Sequence, residues 1–282
     1  MKVVVTGSEG QLGSELCRQL GREAVGLELP EFDLIDRQRV LEILAQVRPQ
    51  AVINTAAFTR VDKAEEEADL CQAVNARGVG YVAEACRSLD CLLVQISTDY
   101  VFGGEAARQV PYRETDEPAP QGVYARTKLE GEREAAAWER HFVVRTCGLY
   151  GAPGPRSGGN FIEAMLRLGR RRKRLRVVAD QHCSPSYVPH VARAIRFLLG
   201  TEGYGTYHVV NLGAATWYDL AVEVFRQSAM EVEVEPITTS EYGAPAPRPA
   251  YSVLDTGKYH ALPGRPAMPT WQDALAEYLA TR

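Results

Sequence analysis

Apolar and polar positions follow two rhythms along the first half of the chain. Short apolar runs read as buried strands: "KVVVTG" (2–7), "AVGLEL" (24–29), "AVINTAA" (51–57), "CLLVQIS" (91–97) and "HFVVRTCGLYG" (141–151). Between them, apolar residues recur at helical spacing in "QLGSELCRQLG" (11–21), "RQRVLEILAQV" (37–47), "DLCQAVNARGVGYVAEACRSL" (69–89) and "YARTKLEGEREAAAWE" (124–139). Nearly continuous apolar strands separated by amphipathic helices predict a doubly wound parallel sheet, because only helices on both faces can bury such strands.

The pattern changes at "GAPGPRSGGN" (151–160), a Gly/Pro-rich loop. Beyond it, "FIEAMLRLGRR" and "HVARAIRFLLG" read as helices, and "RLRVVAD" and "GTYHVVNLG" as strands. A proline-rich stretch, "GAPAPRPAYSVLD", precedes a last helix, "TWQDALAEYLAT". These pieces predict a smaller C-terminal α/β domain. The expected division is 1–147 for the first domain, with the chain returning to it at 187–212, and 148–186 plus 213–282 for the second.

The first strand runs directly into "GSEGQLGSEL", which places Gly7, Gly10 and Gly13 between a strand and a helix. Glycines there allow a tight turn and close approach to a pyrophosphate, while the helix start offers unpaired N–H groups and a favourable dipole. The spacing G-x-x-G-x-x-G is one residue longer than the usual dinucleotide fingerprint, but its physical requirement is the same. The fold class expected is therefore α/β, a Rossmann-type doubly wound sheet binding a dinucleotide. Glu28, 21 residues after Gly7, ends the second apolar run and is the candidate partner of the adenosine ribose. Its charge opposes a 2′-phosphate and favours NADH over NADPH, although Arg60 or a loop arginine is able to reach a phosphate. Asp33 and Leu34 follow as candidates to flank the adenine. Ala56 and Ala57 are small enough for a cofactor to lie against their backbone.

Length and composition narrow the rest. The chain has 282 residues and a net charge of −4, which suits a full-sized core and disfavours a nucleic-acid or anionic-membrane partner. No apolar run approaches the ~18 residues of a membrane span, and the opening methionine runs straight into a strand, leaving no room for a targeting peptide. The six cysteines and five histidines are dispersed without zinc-ligand spacing. Free thiols in a reducing cytoplasm are expected, with no protein metal site.

The strand "CLLVQIS" ends at Ser97, followed by Thr98, Asp99 and Tyr100, which should face a ligand beyond the strand ends. Downstream, Tyr124 and Lys128 share one helix face at i and i+4. That spacing alone also suits a solvated helix. Placed after a glycine turn and a Ser-Thr strand end, it becomes a carbonyl-reduction set. Thr98 positions the oxygen, Tyr124 transfers the proton, and Lys128 lowers the phenol's pKa and holds the nicotinamide ribose. The basic run "RLGRRRKRLR" (167–176) reads as a solvated helix end, with Arg170 or a neighbour as an alternative contact for a substrate diphosphate.

In these motifs the sequence resembles the extended short-chain dehydrogenase/reductases, and more narrowly the dTDP-4-dehydrorhamnose reductases. The resemblance also takes in "INTAAFTRVDKAE", "VNARG", "QISTDYVFGG", "NFIEAML", "VVADQHCSPS" and "RPAYSVLD". It implies NADH- or NADPH-dependent reduction of the C4 carbonyl of dTDP-4-dehydro-L-rhamnose, in nucleotide-sugar synthesis for cell-surface polysaccharide. It assigns proton transfer to Tyr124, assisted by Lys128 and Thr98. Cofactor contacts fall on Gly10, Gln11, Leu12, Glu28, Asp33, Leu34, Ala57, Phe58, Thr59, Tyr124 and Lys128, and sugar contacts on Thr98 and Asp99. A homodimer, and a divalent ion bridging subunits, are open in that family. Three positions depart from its pattern: Gly148 stands where a sugar-packing Trp is common, Cys183 where Gly is usual, and Tyr251 where Asn is frequent. Tyr100 replaces the Glu of the related dehydratases, which disfavours dehydration. An epimerase, a reductase of another nucleotide sugar, and a non-catalytic subunit like the regulatory subunit of methionine adenosyltransferase are the alternatives.

Overall fold

A computed structural model describes residues 1–105, 107–156 and 158–282. Strands β1 (Val3–Thr6), β2 (Ala24–Leu27), β3 (Ala51–Asn54), β4 (Leu92–Thr98) and β5 (His141–Thr146) join a sixth strand, Gly205–His208, in one sheet. The order is Gly205–His208, β5, β4, β3, β1, β2, and every pairing is parallel. The sheet is the doubly wound α/β arrangement that the two rhythms predict.

Successive strand residues point to opposite faces, so each face acquires its own core. Val3, Val5, Ile53, Val94 and Val144 pack under helix α1 (Gln11–Leu20) and the helix Val188–Leu198. Val4, Val52, Leu93 and Val143 pack under α2 (Arg37–Val47) and the helix Gly78–Ser88. Each fully buried Val or Leu contributes roughly 1.5–3 kcal/mol relative to leaving it in water, which is why these strands carry almost no polar residues. Among the exceptions, Thr6 and Asn54 end β1 and β3, and Gln95 lies at the middle of β4. They form a buried chain in which Thr6 donates to Asn54, and Asn54 to Gln95.

The second lobe builds a separate core. The helix Phe161–Gly169, the helix Trp217–Gln227 and the last helix, Trp271–Ala280, surround Leu175, Val177, Tyr150 and Tyr187. Strand Arg174–Val178 pairs in parallel with Glu233–Ile237. Arg174 and Arg176 of the basic run form ion pairs with Glu233, Glu235 and Glu241. No helix among the described residues is long and apolar enough to cross a membrane.

Candidate active site

The strand order reverses on either side of β1, where ligands of open α/β sheets sit beyond the carboxyl ends of the strands. A cleft of about 780 Å³ opens there. Its walls bring together Gly7, Gly10, Gln11, Leu12 and Gly13 with Glu28, Asp33 and Leu34. Ala56, Ala57, Phe58 and Thr59 line it after β3, and Thr98, Asp99, Tyr124 and Lys128 line its inner end. None of residues 167–176 reaches this cleft; Arg170–Lys173 border a separate surface hollow with Ala229–Val232.

The glycine turn shows why those residues are needed. Gly7 has φ +65°, a left-handed conformation that a side chain would strain. A Cβ on Gly13 would stand 2.1 Å from the Gly7 carbonyl oxygen, so helix and strand could not meet with any other residue. Gly10 starts α1 in an extended conformation with no side-chain cap. By contrast, α2 is capped by Asp36, and the helices at Phe161 and Trp217 by Asn160 and Thr216. The first intrahelical bond of α1 is Ser14 N–H to Gly10 carbonyl, at 3.0 Å. The N–H groups of Gln11, Leu12 and Gly13 thus have no acceptor among the described residues, and they line the cleft. Unpaired donors at the positive end of a helix fit a dinucleotide pyrophosphate.

At the outer end, the Glu28 carboxylate accepts from the backbone N–H groups of Glu9 and Leu29, both at 3.1 Å. Asp33 accepts from the N–H of Ile35 at 3.1 Å. Phe32 and Ile35 add apolar wall beside Leu34. Arg60 points elsewhere: it reaches Glu67 at 3.3 Å and lies 5.0 Å over the Phe58 ring. Arg156, which the sequence does not single out, enters the cleft here instead.

The inner end carries the carbonyl-reduction set. The helix Gly122–Ala136 is seated by Gly131, where a Cβ would meet the Asn75 carbonyl oxygen at 2.1 Å. Asn75 in turn brackets Phe58, accepting from its N–H at 2.8 Å and donating to its carbonyl at 3.1 Å. One buried asparagine therefore ties the Tyr124–Lys128 helix to the wall of the cleft that Phe58 forms. The Tyr124 ring packs edge-on to Tyr100 at 5.9 Å. Burial raises the Tyr124 phenol above its ordinary pKa, with the nearby Thr98 hydroxyl opposing the rise.

Lys128 is buried, and its ammonium donates to the Ile96 carbonyl at 2.6 Å. Burial lowers its pKa to about 8, opposed first by the Glu132 carboxylate one turn further on. Without a bound ligand, burial is the largest influence on the Tyr124 phenol, and Thr98 is the group that opposes it. Glu132 is held by Arg145, whose Nε and Nη2 donate at 2.9 and 2.7 Å, and by Ser97.

Thr98 donates to Asp99 at 3.0 Å and accepts from the N–H of Tyr100 at 3.1 Å. Asp99 is buried, accepts from Ser252 of the proline-rich segment, and is raised above the usual carboxyl range by burial. The departures from the family pattern cluster beside it. Cys147 and Cys183 are buried and free. Gly148 has φ +50°, and a Cβ on it would stand 3.5 Å from Cη2 of Trp217. Trp217, 69 residues away in sequence, lines the cleft where position 148 carries no side chain. Among the described residues, no cluster of three or more His, Cys, Asp or Glu is placed to hold a metal ion.

Comparison with known proteins agrees with this geometry. The family model described as the RmlD substrate binding domain matches residues 1–282. A dTDP-4-dehydrorhamnose reductase of Streptomyces griseus is 40% identical, covering 97% of this chain and 91% of that protein. The spore coat polysaccharide biosynthesis protein SpsK of Bacillus subtilis is 39% identical, over 100% and 98%. The crystal structure of dTDP-4-dehydrorhamnose reductase from Bacillus anthracis in complex with NADP superposes with a TM-score of 0.94 at 38% identity, each chain fully covered. A Thermus thermophilus UDP-glucose 4-epimerase, at 23% identity and TM-score 0.82, shares the fold. The chain belongs to the RmlD family, that of the dTDP-4-dehydrorhamnose reductases.

Proposed function

We propose that this protein is a nicotinamide-dependent reductase that converts dTDP-4-dehydro-L-rhamnose to dTDP-L-rhamnose. The observation that carries the reading is the convergence of Thr98, Tyr124 and Lys128 at the inner end of a cleft whose outer end is the glycine turn. When bound, reduced nicotinamide supplies the hydride for C4. The protein's own residues do the rest. Gln11, Leu12 and Gly13 offer N–H groups to the pyrophosphate, Glu28 holds the adenosine ribose, and Ala56 and Ala57 leave room for the cofactor.

Tyr124 acts as the acid. Its raised pKa keeps the phenol protonated at neutral pH, which is the state a reduction requires. As charge develops on the C4 oxygen, the phenol releases its proton to that oxygen. The phenolate left behind is stabilised by the Lys128 ammonium one helical turn away. Thr98, donating to Asp99 and accepting from the N–H of Tyr100, is held in one rotamer beside the phenol. Holding the sugar in attack geometry between the lobes contributes roughly 7–11 kcal/mol in favourable cases.

The intact acid and its lysine distinguish this reading from a binding-only subunit, for which a buried, desolvated lysine would be a cost without a use. The test is spectrophotometric: oxidation of NADPH and of NADH with the dTDP-keto sugar generated in situ. Turnover is expected from the wild type. Tyr124→Phe is expected to lose about 10²–10⁴-fold in turnover while still binding dinucleotide in a fluorescence titration. Near-normal turnover by that variant would refute the assignment of the acid.

A further inference from the structure

We propose that Arg156 binds a phosphate on the 2′-oxygen of the adenosine ribose, so that the segment 151–156 decides which dinucleotide is preferred. The inference rests on reading the cleft as a dinucleotide site and extends it to the ribose end. Glu28 alone would favour a ribose with free hydroxyls and repel a 2′-phosphate. The structure adds a cation that no motif around β2 contains.

Residues 151–156 lie across the glycine turn. A Cβ on Gly154 would stand 2.4 Å from the carbonyl oxygens of both Glu9 and Gly10, so the two backbones touch in a way only glycine permits. Two residues later, the Arg156 N–H donates to the Glu9 carbonyl at 3.0 Å. Its Nη1 donates to the Leu29 carbonyl at 3.1 Å, one residue past Glu28. Glu9 closes the circuit by donating its own N–H to Glu28. The guanidinium is therefore anchored at backbone level beside the ribose carboxylate.

It is anchored without being neutralised. Arg156 forms no ion pair with Glu28 or any other carboxylate among the described residues, and its Nε and Nη2 donate to nothing there. Those two nitrogens form the side-on edge with which arginine grips two oxygens of one phosphate. Arg60, nearer in sequence, is occupied by Glu67 and lies outside the cleft. A phosphomonoester carries about −1.5 to −2 charge near neutral pH, and the open edge of Arg156 meets it while Glu28 retains the 3′-hydroxyl. The phosphorylated dinucleotide, NADPH, is then the preferred one.

Calorimetric titration with two probes tests this without turnover: adenosine 2′,5′-bisphosphate and AMP. Wild type is expected to bind the bisphosphate more tightly. Arg156→Ala should weaken bisphosphate binding about 10- to 100-fold, the range of one charge-assisted bidentate contact, and leave AMP unchanged. Arg156→Lys, with the charge but not the fork, should keep part of the preference. Equal weakening of both probes, or an unchanged ratio, would overturn the assignment. If wild type binds neither probe, the dinucleotide reading of the cleft falls; if it binds both equally, only the role of Arg156 falls.

Discussion

Glu132→Gln separates two functions that the structure assigns to one buried carboxylate. Glu132 and Arg145 are 6% and 5% exposed at their side chains, with Nη2 2.7 Å from the carboxylate. Removing one partner of such a pair strands the other charge and costs roughly 3–5 kcal/mol. Against a total stability of about 5–15 kcal/mol the variant still folds, with a denaturation midpoint lower by on the order of 10 °C. The second effect is on Lys128. At about 6 Å along a helix face and an effective dielectric near 20, the Glu132 charge favours the ammonium by at most ~3 kcal/mol. Its loss, with Arg145 now unpaired nearby, moves the Lys128 pKa below its value of about 8.

The sign of the pH dependence follows. Lys128 titrates lower when folded than its unfolded reference of about 10.4, so between about 8 and 10.4 the unfolded chain binds more protons. This group's contribution to stability therefore rises with pH across that window. Activity runs the other way, because the phenolate at Tyr124 needs the lysine charged: wild-type kcat should fall as pH climbs through about 8. In Glu132→Gln the alkaline limb should shift to lower pH by on the order of one unit, equivalent to ~1.4 kcal/mol. Arg145→Met added to Glu132→Gln should recover part of the stability, since it removes the buried charge that the single variant leaves unpaired, but should leave the limb shifted. A limb that stays at the wild-type pH in the single variant would show that Glu132 serves folding alone.

Two further substitutions probe the ends of the cleft. Gly13→Ala forces a Cβ to 2.1 Å from the Gly7 carbonyl oxygen; dinucleotide binding, followed by fluorescence titration, should fall at least about 100-fold, with a lowered melting temperature. Trp217→Ala removes the indole beside Gly148 and should raise KM for the nucleotide sugar about 10-fold, the worth of a packed aromatic face, while leaving dinucleotide affinity unchanged.

The parts of this molecule that could be read from the sequence are those fixed by local rules. Val3, Val4 and Val5 declare a strand buried on both faces. Gly7 and Gly13 declare a turn where a Cβ has no room. Tyr124 and Lys128 share a helix face by geometry alone. What local rules do not reveal is which distant group a side chain meets. Arg156 lies 128 residues from Glu28, in a stretch whose composition reads only as a Gly/Pro-rich loop. Gly148 reads as a lost aromatic until Trp217 is seen packed beside it. Lys128 reads as the lysine that tunes Tyr124, yet one of its three N–H donors is fixed on the Ile96 carbonyl and burial is the largest influence on the resting phenol. The charge balance of a buried site depends on desolvation and on all neighbours together, and neither is a property of spacing.

The same distant contacts make the wall of the cleft a joint product of both lobes. Gln11, whose N–H is one of the unpaired donors of α1, sends its side-chain amide to the Gly151 carbonyl at 3.1 Å. Asn160 donates to that same carbonyl at 3.0 Å while capping the helix Phe161–Gly169 through the N–H of Glu163. One carbonyl thus joins the glycine turn to the first helix of the second lobe. Nearer the reaction centre, Ser252 of the proline-rich segment donates to Asp99, and Arg248 reaches Asp62 at 3.0 Å. Asp99 is in turn the partner of Thr98, so a second-lobe residue helps set the orientation of a first-lobe hydroxyl. The second lobe is therefore no lid added to a finished dinucleotide domain. Residues 151–156 reach the glycine turn and the segment 248–252 reaches Asp99, so each end of the cleft is held by contacts from residues distant in sequence.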